Sequence, residues 1–353
     1  MSVTSKSPLG VAREALAVGS ATFRDYSHRY SPKTYTQPQK FACLVLKVFF
    51  KQDYRGICKL LKELSDLRAV LGLKQVPHFT TLQKSAQKLL SIVRVQRMLT
   101  KLVQRFRGRR RKVRRAAVDS TGFQCGHASS YYTRRRAQSG KMPVFYKRYA
   151  KLETTVDCAS HFILAASAGR GPRLDIDRFI PLLNDAFDRI LLGSILADAG
   201  YDSEANHYWA REELGVRSFM PAKYGRPTAK LPRGRYRRLM KQRLDKNYGR
   251  YGQRWQVETV FSMIKRRLGA SVAARTYRSQ CREVMLLVIS HNIMILFYVS
   301  VFSTEQLPAE YWTWNGYCIL VVFEDGIASG FYLCEVEDPN PAEQVRRWLS
   351  SSP

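Results

Sequence analysis

Three carboxylates stand in settings suited to chemistry. Asp119 ends the apolar run AAVD and Asp198 ends SILAD. Small residues follow each, Ser120 and Gly122 or Ala199 and Gly200, and leave room for a ligand to approach. The third, Glu258, is the one acid in YGQRWQVETVFSMIK (251–265). On a helix turning ~100° per residue, Tyr251, Arg254, Glu258 and Lys265 share one polar face. Val257, Phe261, Ile264 and Leu268 form an apolar face beside it.

Singly, each acid has a plainer reading. An aspartate at a strand end usually shapes a turn, and a glutamate on a helix usually sits in a solvated ion pair. Together they point elsewhere. Three converging carboxylates repel one another and raise their own pKa values; divalent cations relieve this. Mg²⁺ takes oxygen ligands and substrate phosphate. Two such ions, ~4 Å apart, clamp the attacking and leaving oxygens of an in-line phosphoryl displacement. Arg254 and Lys265 then face phosphate oxygens.

These residues need elements to hold them. AAVDSTG reads as a strand ending in an acid and a turn, and YAKLETTVDCAS with HFILAASAG as a hairpin. LDIDRFIPLLNDAFDRI has the period of an amphipathic helix. GSILADAGYDS is a further strand, with Ser203 placed to cap a helix, and VRSFMPAK another strand. The pattern is α/β, a mixed sheet flanked by helices. It spans residues 116–302. Within it, 223–250 is dense in charge, Pro and Gly and reads as an exposed basic insertion with little helix. Tyr236 there and Trp255 after it are candidate surfaces for stacking on a displaced base, although core packing is the readier use of Trp255.

Residues 36–106 have helical periodicity and a basic surface, as in a helix-turn-helix-like DNA-binding domain. Thr80 or Thr81 is placed to cap one of its helices. Residues 1–35 lack sustained periodicity and read as partly disordered. RFRGRRRKVRR (105–115) holds eight Lys or Arg in eleven residues, including Arg109, Arg110, Arg111 and Lys112. Its later part, 107–115, reads as a basic linker that contacts phosphates without reading bases.

Net charge is +31 over 353 residues, with a pI near 10.2. Such self-repulsion calls for a polyanionic partner; nucleic acid, with double-stranded DNA as the form a helix-turn-helix-like domain would bind, leads, and an anionic membrane surface is the rival. Residues 303–353 differ, with eight acids and two bases; they read as an atypical extension, either an appended β unit or read-through from neighbouring DNA. VMLLVISHNIMILFYVSVF (284–302) has the length of a membrane span. Ser290, His291 and Asn292 interrupt its centre, so it reads as a buried core helix and no membrane partner is expected. Seven scattered cysteines without C-x-x-C support neither a zinc site nor a disulfide framework, and fit a reduced cytoplasm.

The combination resembles the DDE transposases of bacterial insertion sequences, in the broad four/five group. That group's motif is Tyr, two residues, Arg, three residues, Glu, six residues, Lys; Tyr251, Arg254, Glu258 and Lys265 match it throughout. Asp119–Ser120–Thr121 resembles the group's first acidic strand, and Asp198, Gly200, Tyr201 and Asp202 its second. The helical segment YRGICKLL…LGL…VPHFTTLQK is also similar, so that the likeness covers roughly 36–302. The resemblance implies a ribonuclease H-like core, with Asp119, Asp198 and Glu258 holding two Mg²⁺, for which Mn²⁺ substitutes. It also implies that the enzyme binds terminal inverted repeats, cuts DNA and joins the freed ends to target DNA. Tyr251, Arg254 and Lys265 would contact DNA near the cut, with Arg109, Arg110, Arg111, Lys112, Arg235, Arg237 and Arg238 on the backbone. Joining two ends implies at least a homodimer on DNA, in a bacterial nucleoid. The alternatives are an inactive transposase-derived repressor and a nuclease that cuts without joining.

Overall fold

The computed structural model describes residues 4–108, 112–125, 138–139, 149–223, 230–244, 248–302, 309–314, 317–324 and 327–335. The chain divides into two units, Met1–Leu296 and Phe297–Pro353.

The first unit begins with six helices. Within residues 1–35, where the sequence lacks sustained periodicity, Pro8–Thr22 forms α1. Pro8 sits in its first turn and the Ser7 hydroxyl accepts the Gly10 N–H at 3.1 Å. Its buried stripe is Val11, Ala15 and Val18, residues too small to produce a strong period in sequence. Helix α2 (Gln37–Phe49) opens with a reciprocal Thr36/Gln39 cap, and Asp53 caps α3 (Tyr54–Glu63). Helix α4 covers Ser65–Val70. Helix α5 (Phe79–Leu89) starts earlier than a Thr80 or Thr81 cap would allow; His78 is at its N-cap and the Thr80 hydroxyl bonds His78 Nδ1 instead. Helix α6 (Ile92–Arg107) buries Val95, Met98, Leu99, Leu102, Val103 and Phe106.

Strand β1 (Lys112–Val113) leads into β2 (Ala116–Cys125), β3 (Tyr149–Asp157) and β4 (Ile163–Gly171). Helix α7 (Phe179–Phe187), β5 (Leu191–Leu192), β6 (Ser194–Ala197), α8 (Glu204–Tyr208) and β7 (Arg217–Phe219) follow. The main sheet has the order β4-β3-β2-β6-β7, with β8 (Ser271–Val272) also paired to β2. β2, β3 and β4 run antiparallel, whereas β2, β6 and β7 run parallel. This is the mixed sheet flanked by helices that the strand and helix periods of the sequence predict. Ser203 caps α8 by accepting the Asn206 N–H.

Three further α-helices follow among the described residues: α9 (Arg235–Arg243), α10 (Gln256–Arg267) and α11 (Tyr277–Phe302), the last running past Leu296 into the second unit. Where a mostly loop-like basic insertion was expected, α9 is a nine-residue helix that buries Tyr236 and Met240. Helix α11 is the one described helix long and apolar enough to cross a membrane, yet its central polar residues are buried. Asn292 explains them. Its side chain accepts the Ile163 N–H at 2.9 Å and donates to the Ile163 carbonyl at 2.8 Å. It thereby supplies the start of β4 with a substitute strand neighbour. His291 donates to the His161 carbonyl at 3.1 Å.

In the second unit, β9 (Ala309–Trp314), β10 (Tyr317–Glu324) and β11 (Ile327–Glu335) form an antiparallel sheet of order β11-β10-β9.

Candidate active site

Asp119 is not at the end of its strand: β2 continues to Cys125 alongside β3. What ends is the pairing with β6, whose last register pair is Val118↔Ala197. Asp119 and Asp198 are the next residues on these neighbouring parallel strands. The sheet itself therefore sets them side by side, with a strand spacing of ~4.8 Å. Asp119 Oδ1 accepts the Ser120 N–H at 2.7 Å, and Asp198 Oδ1 accepts the Gly200 N–H at 2.9 Å. Each acid thus keeps a second oxygen for other partners.

Glu258 comes from α10, which lays Val257, Val260, Phe261 and Ile264 inward. The motif residues before it are not part of that helix. Tyr248–Trp255 is a 3₁₀ segment, kinked where Gly249 and Arg250 take φ of 60° and 56°. Tyr251 and Arg254 therefore reach the site from a tighter turn than one continuous α-helix supplies. A side chain at Gly249 has no room, because its Cβ would lie 2.3 Å from the Phe219 ring. Two glutamines hold the segment from behind. Gln253 accepts from Arg115 Nε at 2.6 Å, and Gln256 bonds His161 Nε2 at 2.5 Å.

The side chains then meet over β2. Arg254 donates to Asp119 Oδ2 at 3.1 Å and to Glu258 Oε1 at 2.6 Å. Tyr251 donates to the Ala197 carbonyl at 3.2 Å, one residue before Asp198. Lys265 donates to Thr121 Oγ1 at 2.6 Å and lies 5.6 Å from the centre of the Phe123 ring. Burial, reinforced by Asp198 and Glu258, pushes the Asp119 carboxyl up to about 6 against the pull of Ser120 N–H and Arg254. Burial, with Asp198 and Asp119 adding to it, raises the Tyr251 phenol to about 12, so it is a neutral donor near pH 7. Burial lowers Lys265.

This donor set suits a hard divalent cation. It is all oxygen, and the like charges that raise Asp119 are those a cation would offset. Among the described residues, no three His, Cys, Asp or Glu side chains form a ready-made cage. Arg254 lies between Asp119 and Glu258 and supplies the positive charge there.

Other sequence-derived candidates fall elsewhere. Arg109, Arg110 and Arg111 lie outside the described residues; Lys112 is exposed on β1. Arg235 and Arg238 are exposed on α9, but Arg237 is committed to Asp202 Oδ2 at 2.8 Å. Trp255, expected in the core, is 55% exposed beside Arg254, because α10 turns Val257 rather than Trp255 inward. Tyr236, considered for stacking, is buried, with its hydroxyl on Glu212 and its ring beside Arg211. Sequence reasoning missed Thr121, Gln253 and Gln256 as partners; the two glutamines flank Arg254 in the motif stretch, but nothing local reveals what they bind.

The fold is a mixed α/β sheet flanked by helices, and its site gathers carboxylate oxygens around Arg254. The family model described as "Transposase DDE domain" matches residues 110–293, just over half of the chain. The protein belongs to that family. Among solved structures, it is similar to the piggyBac transposase synaptic complex with hairpin DNA (10% identity, 86% of this chain and 74% of that chain, TM-score 0.44). A second is the simian T-cell lymphotropic virus intasome in complex with PP2A regulatory subunit B56 gamma (13% identity, 72% and 95%, TM-score 0.21). No curated protein matches.

Proposed function

We propose that the protein is an insertion-sequence transposase of the four/five group that cuts and joins DNA. It would bind the element's terminal inverted repeats, with the helices of residues 36–106 and the basic run 107–115 contributing to the grip. One observation carries the reading. Asp119 and Asp198 extend the last register pair of adjacent strands, and Arg254 links Asp119 to the Glu258 helix.

Asp119, Asp198 and Glu258 would hold the divalent ions, Mg²⁺ with Mn²⁺ as substitute. Such ions supply an activated water and stabilise charge at the attacked phosphorus. The chain's own groups do the rest. Arg254 is a planar donor on Asp119 and Lys265 a point charge on Thr121, two residues further along β2; both are suited to non-bridging phosphate oxygens once DNA competes for them. Tyr251, neutral and hydrogen-bonded to Ala197, keeps the strand end that carries Asp198 in register with the 3₁₀ turn. Two DNA ends require a homodimer in the complex.

The test uses purified protein, labelled DNA carrying the ends that flank its gene, and Mg²⁺ or Mn²⁺. Wild type cuts and joins. Glu258→Gln loses about 10³-fold or more in cleavage and keeps end binding within about twofold. Binding without cleavage by the wild type, under either metal, leaves the repressor alternative; cleavage without joined product leaves the nuclease.

A further inference from the structure

Helix α9 carries five cations in nine residues, RYRRLMKQR. Like charges three and four residues apart repel, and a nine-residue helix is marginal alone. Its N-terminus lacks a local cap, since the preceding residue is Gly234. The cap comes from another element. Glu204, the first residue of α8, accepts the Tyr236 N–H at 3.0 Å with Oε1 and the Arg237 N–H at 3.1 Å with Oε2. Gly234 is required twice over. Its φ is +101°, and a Cβ there would lie 2.2 Å from Glu204 Oε2.

Asp202 adds the second fastening. Its side chain is fully buried and accepts Arg237 Nε at 2.8 Å and the Lys223 N–H at 2.7 Å. Arg237 also donates to the Lys223 carbonyl at 3.1 Å. Tyr236 reaches Glu212 with its hydroxyl. Tyr236 and Met240 face inward, while Arg235 and Arg238 are exposed; Arg235 lies 5.3 Å from the Tyr236 ring centre and 4.0 Å from Glu212 at the solvent edge, and Arg238 donates to the Pro232 carbonyl at 3.1 Å, which leaves the outer faces of both guanidiniums open. Both fastening acids belong to the segment that begins with Asp198, DAGYDSE.

We propose that Asp202 and Glu204 are positioning residues that clasp α9 beside the Asp198 strand end, so that Arg235 and Arg238 meet DNA backbone phosphates at a preset place. Arg237 is the key of the clasp and not a phosphate ligand. The inference rests on the DNA-binding part of the reading above. Its physical basis is preorganisation: the ordering cost of a self-repelling helix is met on folding rather than on DNA binding. The carboxylate pair supplies both the missing helix cap and the opposite charge.

The test uses the full chain as wild type, Glu204→Ala, Glu204→Gln and the double variant Arg235→Ala/Arg238→Ala. Three quantities are read: protease cleavage within 230–244, thermal midpoint, and end-DNA Kd against salt concentration. Wild type should be protected in that segment. Glu204→Ala should expose it, weaken DNA binding about tenfold at 0.15 M salt, and lower the salt slope toward that of the double variant. Two lost phosphate contacts lower the slope by about 2. Glu204→Gln, which keeps an acceptor for one N–H, should fall between. A cap with only a structural role would change proteolysis and leave Kd and slope alone; that result overturns the proposal, as does a wild-type slope equal to the double variant's. If Glu204→Ala does not fold, Gly234→Ala breaks the same contact from the other side and carries the same expectations. Should the wild type bind DNA through this helix yet never cut it, the enzymatic reading fails while the clasp stands.

Discussion

At the scale of single residues, Arg254 decides how the site rests. It holds a carboxylate on either side, Asp119 from the sheet and Glu258 from its own helix. Arg254→Ala removes the cation from three acids whose mutual repulsion remains. The Asp119 carboxyl should then titrate higher still, because only the Ser120 N–H would be left to pull it down. Without divalent ions, this variant should be less stable by about 1–3 kcal/mol. Added Mn²⁺ should raise its thermal midpoint by more than it raises that of the wild type. An equal rise in the two proteins would mean that Arg254 and a metal ion do not share the same charge balance. At this scale residue types and spacing singled out Asp119, Asp198 and Glu258 as candidates, and the fold sets the first two on adjacent strands and joins Asp119 to Glu258 through Arg254. The sequence could not show that the polar set around Glu258 straddles a 3₁₀ turn and an α-helix, because helical angles assume one continuous period.

Elements are held by contacts distant in sequence, and here local patterns said less. The SHN interruption in α11 pointed to a buried core helix, and its three residues are buried, but only the fold reveals that Asn292 completes the edge of β4. Asn292→Ala leaves a buried N–H and a buried carbonyl unpaired and should cost about 2–4 kcal/mol in urea unfolding; a cost below 1 kcal/mol would mean that β4 finds other partners. Gly249→Ala meets both a positive φ and the Phe219 ring. It should destabilise by at least about 1–2 kcal/mol and lower cleavage more than DNA binding, since it displaces the turn that carries Arg254. Circular dichroism melts and the cleavage assay check the two parts separately. Helix α1 and the clasped α9 were illegible for opposite reasons. The first hides its period in small residues, while the second is stabilised by acids thirty residues upstream.

For the whole molecule, charge composition pointed to DNA before any motif did, and fold class followed from the alternation of strand and helix periods. The strand order did not, since pairing β2 with β6 is a choice no local window contains. Stability against pH also belongs to this scale. Burial holds His291 down near 4, against a partial upward pull from the His161 carbonyl. An unfolded histidine titrates near 6.5. Between those values the unfolded chain takes up the proton first, so stability present above pH 6.5 is lost as pH falls toward 4, by up to about 3 kcal/mol. Asp119, raised in the folded state, works in the opposite sense below about 6. Comparing wild type with His291→Gln isolates the histidine: the variant's unfolding free energy should be flatter across that window. Parallel curves would show that His291 is not the group responsible.

The pairing of β2 with β6 has one further consequence. Backbone hydrogen bonds fix the interval between Asp119 and Asp198, so the long chain between them can vary without moving either acid. Glu258 has no such guarantee, because a helix and a few side-chain contacts deliver it. The site resembles a vice with one jaw cast into the frame and the other mounted on a slide. Adjusting its opening for a different substrate is then a matter of the slide, Tyr248–Trp255 and the glutamines behind it, and never of the frame.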